Sequence, residues 1–138
     1  KRKVGSSLMS QGAHKIIDLP TGDHRFVVLE HDWNGVHWDL MLEAANQLRT
    51  WALSAFPTIG NLIEARALPD HRLAYLDYEG PISGDRGTVR RVDRGLYEPL
   101  VWEDDRVKVR LKGDQVIGEA ELLRLGERSW RFKIGKFI

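Results

Sequence analysis

Phe26-Val-Val-Leu-Glu-His-Asp-Trp-Asn-Gly-Val-His-Trp-Asp-Leu-Met-Leu-Glu43 decides how this chain folds, because a strongly β-like pattern there concentrates two histidines and an aspartate. From Val36 to Glu43 the residues alternate. Val36, Trp38, Leu40 and Leu42 share one face, and His37, Asp39, Met41 and Glu43 share the other. Where His31 falls depends on the turn. A two-residue turn at Asn34-Gly35 pairs Trp33 with Val36 and puts the histidines on opposite faces. A three-residue loop, Trp33-Asn34-Gly35, with a type I turn followed by a left-handed Gly35, sets His31 opposite His37 with Asp39 one step along. The second register is the expectation, since two imidazoles and a carboxylate converging on one point make a site for a divalent metal ion. The plainer reading is a hairpin whose polar face is merely wet; spacing alone leaves both open.

Around this hairpin, 138 residues make one domain by length, enough to bury roughly two thirds of the unfolded surface. Residues 1–20 open with Lys1-Arg-Lys3, carry little periodic structure and read as a flexible segment, leaving 21–138 as the folded domain. Charge is nearly balanced, 21 Lys+Arg against 20 Asp+Glu, so net charge alone does not announce a nucleic-acid binder. The absence of cysteine excludes disulfides, thiol catalysis and cysteine-based zinc sites, so any metal must use His, Asp or Glu. No apolar run is long enough to cross a bilayer, and a cytoplasmic location is the default.

Downstream, Gln47 to Ser54 reads as a half-buried strand. Asn61 to Leu68 reads as a short helix, capped by Asn61 and halted before Pro69. His71 and Tyr75 are four apart and share a face in either a helix or a strand; on residue type alone they read as a surface histidine beside a partly buried tyrosine. Ser83-Gly-Asp-Arg-Gly87 is a loop whose bare backbone either approaches a phosphate or simply turns. Arg86, Arg90, Arg91 and Arg94 form the most basic local stretch, fit for a strand edge or for backbone phosphates. Lys108, Arg110 and Lys112 make a one-sided stripe along a strand from Arg106, which either tracks nucleic acid or faces water. About seven to eight short strands with one short helix predict a mainly β protein, a small closed mixed or antiparallel β-barrel.

Several blocks resemble the 3'-phosphoesterase domain of bacterial DNA ligase D. They are Phe26-Val-Val-Leu-Glu-His31, Val36-His-Trp-Asp-Leu-Met-Leu-Glu43 and Thr50-Trp-Ala52, then Asp70-His-Arg-Leu-Ala-Tyr-Leu-Asp-Tyr-Glu-Gly80. Gly87-Thr-Val89, Asp93-Arg-Gly95, Tyr97-Glu-Pro99 and the tail strands follow in the family's order, over about residues 25 to 135. The resemblance implies a small barrel with a catalytic groove and a divalent ion, manganese by family analogy, on His31, His37 and Asp39. It also implies that His71 and Tyr75 are active-site residues contacting the phosphate region. Family substrates are DNA 3' ends bearing a ribonucleotide or a phosphate, so the expected partners are such ends, with repair proteins beside them, and the expected state is a monomer.

The chain departs from the family in ways that matter chemically. The arginine that follows the ligand aspartate on the same face is Met41 here, and a thioether cannot clamp a phosphate. A family lysine is missing where Ser54-Ala55-Phe56 stands. Arg66 and Arg86 are the candidate substitutes for substrate binding. A freestanding, divergent member without polymerase or ligase segments is the expectation. Two rivals stand beside the phosphoesterase reading. One is a non-catalytic metal-containing module for DNA ends or a protein partner. The other is an iron-oxygenase facial triad, in which His71 rather than His31 would coordinate with His37 and Asp39.

Overall fold

Four consecutive apolar residues, Phe26 to Leu29, are all fully buried, and a strand can do that only if both its faces are covered. The computed structural model, which describes residues 19–137, shows how the cover arises. The segment expected to be flexible, 1–20, lies outside the described residues up to 18. Strands β1 (Arg25–Asp32), β2 (Val36–Ala44), β3 (Gln47–Leu53) and β4 (Leu62–Arg72) run antiparallel in sequence order. A 3-10 turn (Leu73–Leu76) and the two-residue β5 (Gly80–Pro81) follow. Then come β6 (Thr88–Trp102), β7 (Arg106–Gly113), β8 (Ile117–Arg124) and β9 (Ser129–Gly135).

The order β1-β2-β3-β4-β9-β8-β7-β6 closes through pairing of β6 with β1, giving an eight-stranded barrel with β5 attached to the start of β6. Every pairing is antiparallel, which resolves the mixed-or-antiparallel expectation. Closure leaves the eight barrel strands no free edge.

Inside the barrel, Phe26, Val28, Leu40, Leu42, Trp51, Leu111, Leu122 and Phe132 form the main core. Each large side chain removed from water there contributes about 1.5–3 kcal/mol. A second, smaller cluster lies on the outer face of the leading strands. Val27, Leu29, Met41 and Leu48 pack there beneath Leu76 and Val89, with Leu73, Tyr75 and Ile82 at its margin. The chain between β4 and β6 therefore covers the outside of β1–β3, and the hairpin is walled on both sides.

One expectation is overturned: Asn61 to Leu68 is not a helix. Residues from Leu62 onward belong to β4, which pairs with both β3 and β9. Good helix formers fill this stretch, but Ile63 and Ala65 alternate inward with exposed Glu64 and Arg66. A helix here would leave β3 and β9 with open edges, so the tertiary demand overrides local propensity. The alanines also make room: Ala67 lies opposite Trp51, Ala65 opposite Trp130, and the two indoles meet edge to face at 5.5 Å. Among the described residues the only helical element is the four-residue 3-10 turn. None is long and apolar enough to cross a membrane.

Three polar devices hold the barrel ends. Glu43, buried on β2, accepts bonds from the Arg25 guanidinium at 2.8 Å on each oxygen and from the Arg25 backbone N–H at 3.1 Å. The Arg25 bond is the main reason its carboxyl is held below the usual carboxylate range. Buried Asp93 accepts the backbone N–H groups of Asp114, Gln115 and Val116, tying off the β7–β8 turn. Arg49 points inward between Trp51, Trp102 and Trp130, 5.0, 5.0 and 5.8 Å from their ring centres, and donates to the Glu103 and Asp104 carbonyls.

Candidate metal centre

The register between β1 and β2 sets His31 opposite His37, and Asp32 opposite Val36, so the loop is the three-residue one. Its bend differs from the expected type I form. Asn34 as well as Gly35 has positive φ, 54° and 100°, a region asparagine tolerates better than most residues. The Trp33 N–H donates to the Gly35 carbonyl across it.

The two imidazoles stand 4.6 Å apart on the outer face, with Asp39 beside them and only 2% exposed. His31 Nδ1 is 3.3 Å from Asp39 Oδ2, and His37 Nε2 is 3.0 Å from Oδ1. One ligand atom from each of the three lies within 4.8 Å of the others. The tautomer of His31 follows from its other nitrogen. Nε2–H donates to the Arg86 carbonyl at 2.8 Å, and because a carbonyl only accepts, the neutral ring keeps a lone pair on Nδ1, facing the carboxylate.

Asp39 Oδ1 is buried and makes no hydrogen bond, although a ring nitrogen is within bonding distance. The separation is right and the alignment is not. A buried carboxylate in that condition is destabilising unless a cation takes it up. Two nitrogens and one carboxylate with converging lone pairs are the donor set of a borderline divalent ion, and three protein ligands leave further coordination positions open. The Arg86 carbonyl supplies the outer bond that orients a ligating histidine. These residues fit a metal ion.

The trio lines a groove of about 1350 Å³ on the outer face of the barrel. Small-molecule pockets run to roughly 300–1,000 Å³, so this one has room for the end of a polymer. All seven site residues expected from the sequence line it: His31, His37, Asp39, Arg66, His71, Tyr75 and Arg86. Arg66 gets there through strand pairing. Asp39 lies opposite Ala52, and Ala52 opposite Arg66, so the arginine backbone sits about 10 Å from the aspartate, two strand spacings away. The small Ala52 between them keeps the floor low. Arg66 is exposed and makes no ion pair among the described residues.

His71 Nδ1–H donates to the Pro69 carbonyl at 2.9 Å, and its ring meets Tyr75 edge to face at 5.4 Å. Nε2 is thereby left for other partners. His71 is not part of the metal-competent cluster, which takes in His31 instead, so the version of the facial triad that used His71 in place of His31 is not what the described residues bring together. Met41 is 1% exposed and packs with Val27, Leu29 and Leu48, forming apolar floor at the family's arginine position.

The loop of residues 83–87 serves the fold more than a phosphate. A Cβ on Gly87 would lie 1.9 Å from the Asp32 carbonyl oxygen and 2.7 Å from Trp33 Cβ, so only glycine lets the strands meet there. Arg86 turns its guanidinium back onto Ser83, at 2.7 Å to the carbonyl. Four residues of the other basic runs pair elsewhere. Arg90 pairs with Glu30, Arg91 with Asp77, and Lys108 and Arg110 with Glu119 and Glu98. None of these lines the groove.

Sequence reasoning missed Arg128 and Arg131, which reach the groove from β9 and the turn before it, and Trp33 at its lip. The arginines carry no local signal. Their place depends on β9 pairing with β4, where Arg131 lies opposite Glu64.

Comparison with known proteins adds a relationship. Residues 29–124 match the family described as the DNA Ligase D 3'-phosphoesterase domain. The chain is 31% identical over 119 residues to the multifunctional non-homologous end joining protein LigD of Pseudomonas aeruginosa. It is 32% identical over 120 residues to the multifunctional non-homologous end joining DNA repair protein LigD of Mycobacterium tuberculosis. These matches take in 79% and 80% of this chain but only 14% and 16% of the relatives.

Proposed function

This chain belongs to the DNA ligase D 3'-phosphoesterase domain family, and from that premise we propose that it hydrolyses phosphoesters at DNA 3' ends. The substrates we assign are strands ending in a 3'-phosphate or a 3'-terminal ribonucleotide, processed during DNA end repair. The observation that carries the reading is the convergence of His31 Nδ1, His37 Nε2 and the buried Asp39 carboxylate, with its unbonded Oδ1, on one point of an open groove.

His31, His37 and Asp39 would hold a divalent ion, manganese by family analogy. Such an ion supplies Lewis acidity at phosphorus and lowers the pKa of a bound water. His71, anchored through Nδ1, presents Nε2 as the group that hydrogen-bonds the phosphoryl oxygens or gives the leaving oxygen its proton. Tyr75 holds the His71 ring edge on and limits its rotation. Arg66, with Arg128 and Arg131 along the same groove, supplies the positive charge that Met41 cannot. Arg86 acts mainly through its carbonyl, by fixing His31.

The test is hydrolysis of a 5'-labelled strand with either 3' end, in manganese and in EDTA. Turnover should require manganese. His37→Ala should abolish both manganese binding and turnover, whereas His71→Ala should keep the ion and lose about 10²–10⁴-fold in rate. Manganese and DNA bound tightly with no product from either end would establish the non-catalytic module instead, which the burial of Met41 at the arginine position favours.

A further inference from the structure

Trp33 is a large apolar side chain left 41% exposed at the lip of the groove. Its ring lies nearly parallel to that of His31, with centroids 5.9 Å apart and planes at 21°. Offset stacks of this kind have centroids about 4.5–7 Å apart, so one flank of the indole is already seated on a metal-ligating imidazole. The backbone beneath it is fixed by three contacts. Trp33 N–H bonds the Gly35 carbonyl, His31 is tied to the Arg86 carbonyl, and Gly87 abuts Asp32 and Trp33. An exposed indole on a fixed loop does not serve the core, since neither buried cluster includes it.

We propose that Trp33 is a stacking platform for the nucleobase of the 3'-terminal nucleoside. Every nucleobase has a π-face, and stacking on aromatic side chains is the sequence-tolerant way to hold an unpaired base. A base on the free part of the indole lies about one further stacking distance from the His31 ring, within the reach of a single terminal nucleotide whose phosphoester, on its 3' or its 5' side, sits at the metal centre. The platform thus selects a terminus that still carries its base over one that has lost it. The inference rests on the phosphoesterase reading above and names the part of the substrate it recognises.

The experiment compares wild type, Trp33→Ala and Trp33→Phe on single strands that end in the same 3' group on a ribonucleotide or on an abasic sugar. Binding is read in EDTA by anisotropy of a 5' label, kcat and KM in manganese, and manganese affinity separately by the electron-spin signal of the free ion. Trp33→Ala should weaken binding and raise KM for the base-bearing end by roughly 5- to 150-fold, the worth of one stacked base. Its manganese affinity should be unchanged, Trp33→Phe should recover most of the loss, and wild type should hold the abasic end no better than Trp33→Ala does. If Trp33→Ala binds base-bearing ends normally while wild type turns them over, stacking is wrong and the phosphoesterase reading stands. If Trp33→Ala loses manganese affinity instead, the indole merely supports His31 and the proposal falls. Wild type that neither binds nor cleaves these ends would sink both readings.

Discussion

Asp39→Asn offers a test of the metal centre that needs no substrate, because it is expected to change stability in opposite directions with and without the ion. In the metal-free protein, wild type keeps a buried carboxylate whose Oδ1 makes no hydrogen bond, 3.0 Å from His37 Nε2. Leaving a buried acceptor unsatisfied costs about 1–3 kcal/mol. An amide at that position removes a charge from the site and offers His37 either a donor or an acceptor. In EDTA, Asp39→Asn should therefore be the more stable protein by about 1–3 kcal/mol, or about 3–10 °C in Tm for a chain of this size. Manganese at a hundred times its Kd adds about 2.7 kcal/mol to a protein that binds it only when folded. Wild type should gain that increment and Asp39→Asn, one ligand short, very little of it, so the order of the two melting curves reverses. Paired thermal melts read by circular dichroism decide it. Asp39→Asn no more stable than wild type in EDTA, together with equal shifts of both proteins in manganese, would refute the placement of the ion.

Three further outcomes follow from the same coordinates. Glu43→Gln should destabilise by about 1–2 kcal/mol at pH 7, at the lower end for a charged hydrogen bond because Arg25 is partly exposed. Since Arg25 depresses the folded-state pKa of Glu43, its contribution is present above the ordinary carboxylate range and lost as pH falls through the folded value. The Tm gap between Glu43→Gln and wild type should accordingly narrow as pH falls below the ordinary carboxylate range, and a constant gap would contradict it. Gly87→Ala puts a Cβ into the Asp32 carbonyl at a φ of +76°. It should cost about 2–4 kcal/mol and, by moving the Arg86 carbonyl off His31, weaken manganese binding about 10- to 100-fold in a titration. Arg49→Ala should lower the urea midpoint by the equivalent of about 2–4 kcal/mol, since it empties the space between three indoles and removes one donor from each of two carbonyls.

How much could be read from the chain alone depends on whether the information was local. The hairpin was legible because alternation from Val36 to Glu43 fixes the faces, and only one of two loop lengths brings His31 to His37. His71, Tyr75 and Arg66 were placed through resemblance, and the groove gathers them. The Asn61–Leu68 stretch misled because leucine, alanine, glutamate and arginine favour helix, while the deciding facts are the unpaired edges of β3 and β9, which no window of sequence displays. Arg128 and Arg131 were invisible for the same reason. The alternating basic run at Lys108–Lys112 was ambiguous until the pairing of β7 with β6 and β8 supplied Glu98 and Glu119 as its neighbours. Asp93 showed no sign of its job, since the three N–H groups it binds lie more than twenty residues away.

The leading hairpin is at once a wall of the barrel and the bed of the groove, with apolar contacts behind it and ligands in front. Inward side chains answer to the barrel core, and outward ones answer to the second apolar cluster at Val27, Leu29 and Met41 and to chemistry at His31, His37 and Asp39, so hardly a position is idle. A saturation library over the hairpin should show two intolerances with distinct phenotypes: the apolar positions of both faces, where substitution lowers soluble yield, and His31, His37 and Asp39, where yield survives and ion binding does not. The strands that line no part of the groove, under only the first demand, are where such a lineage can drift.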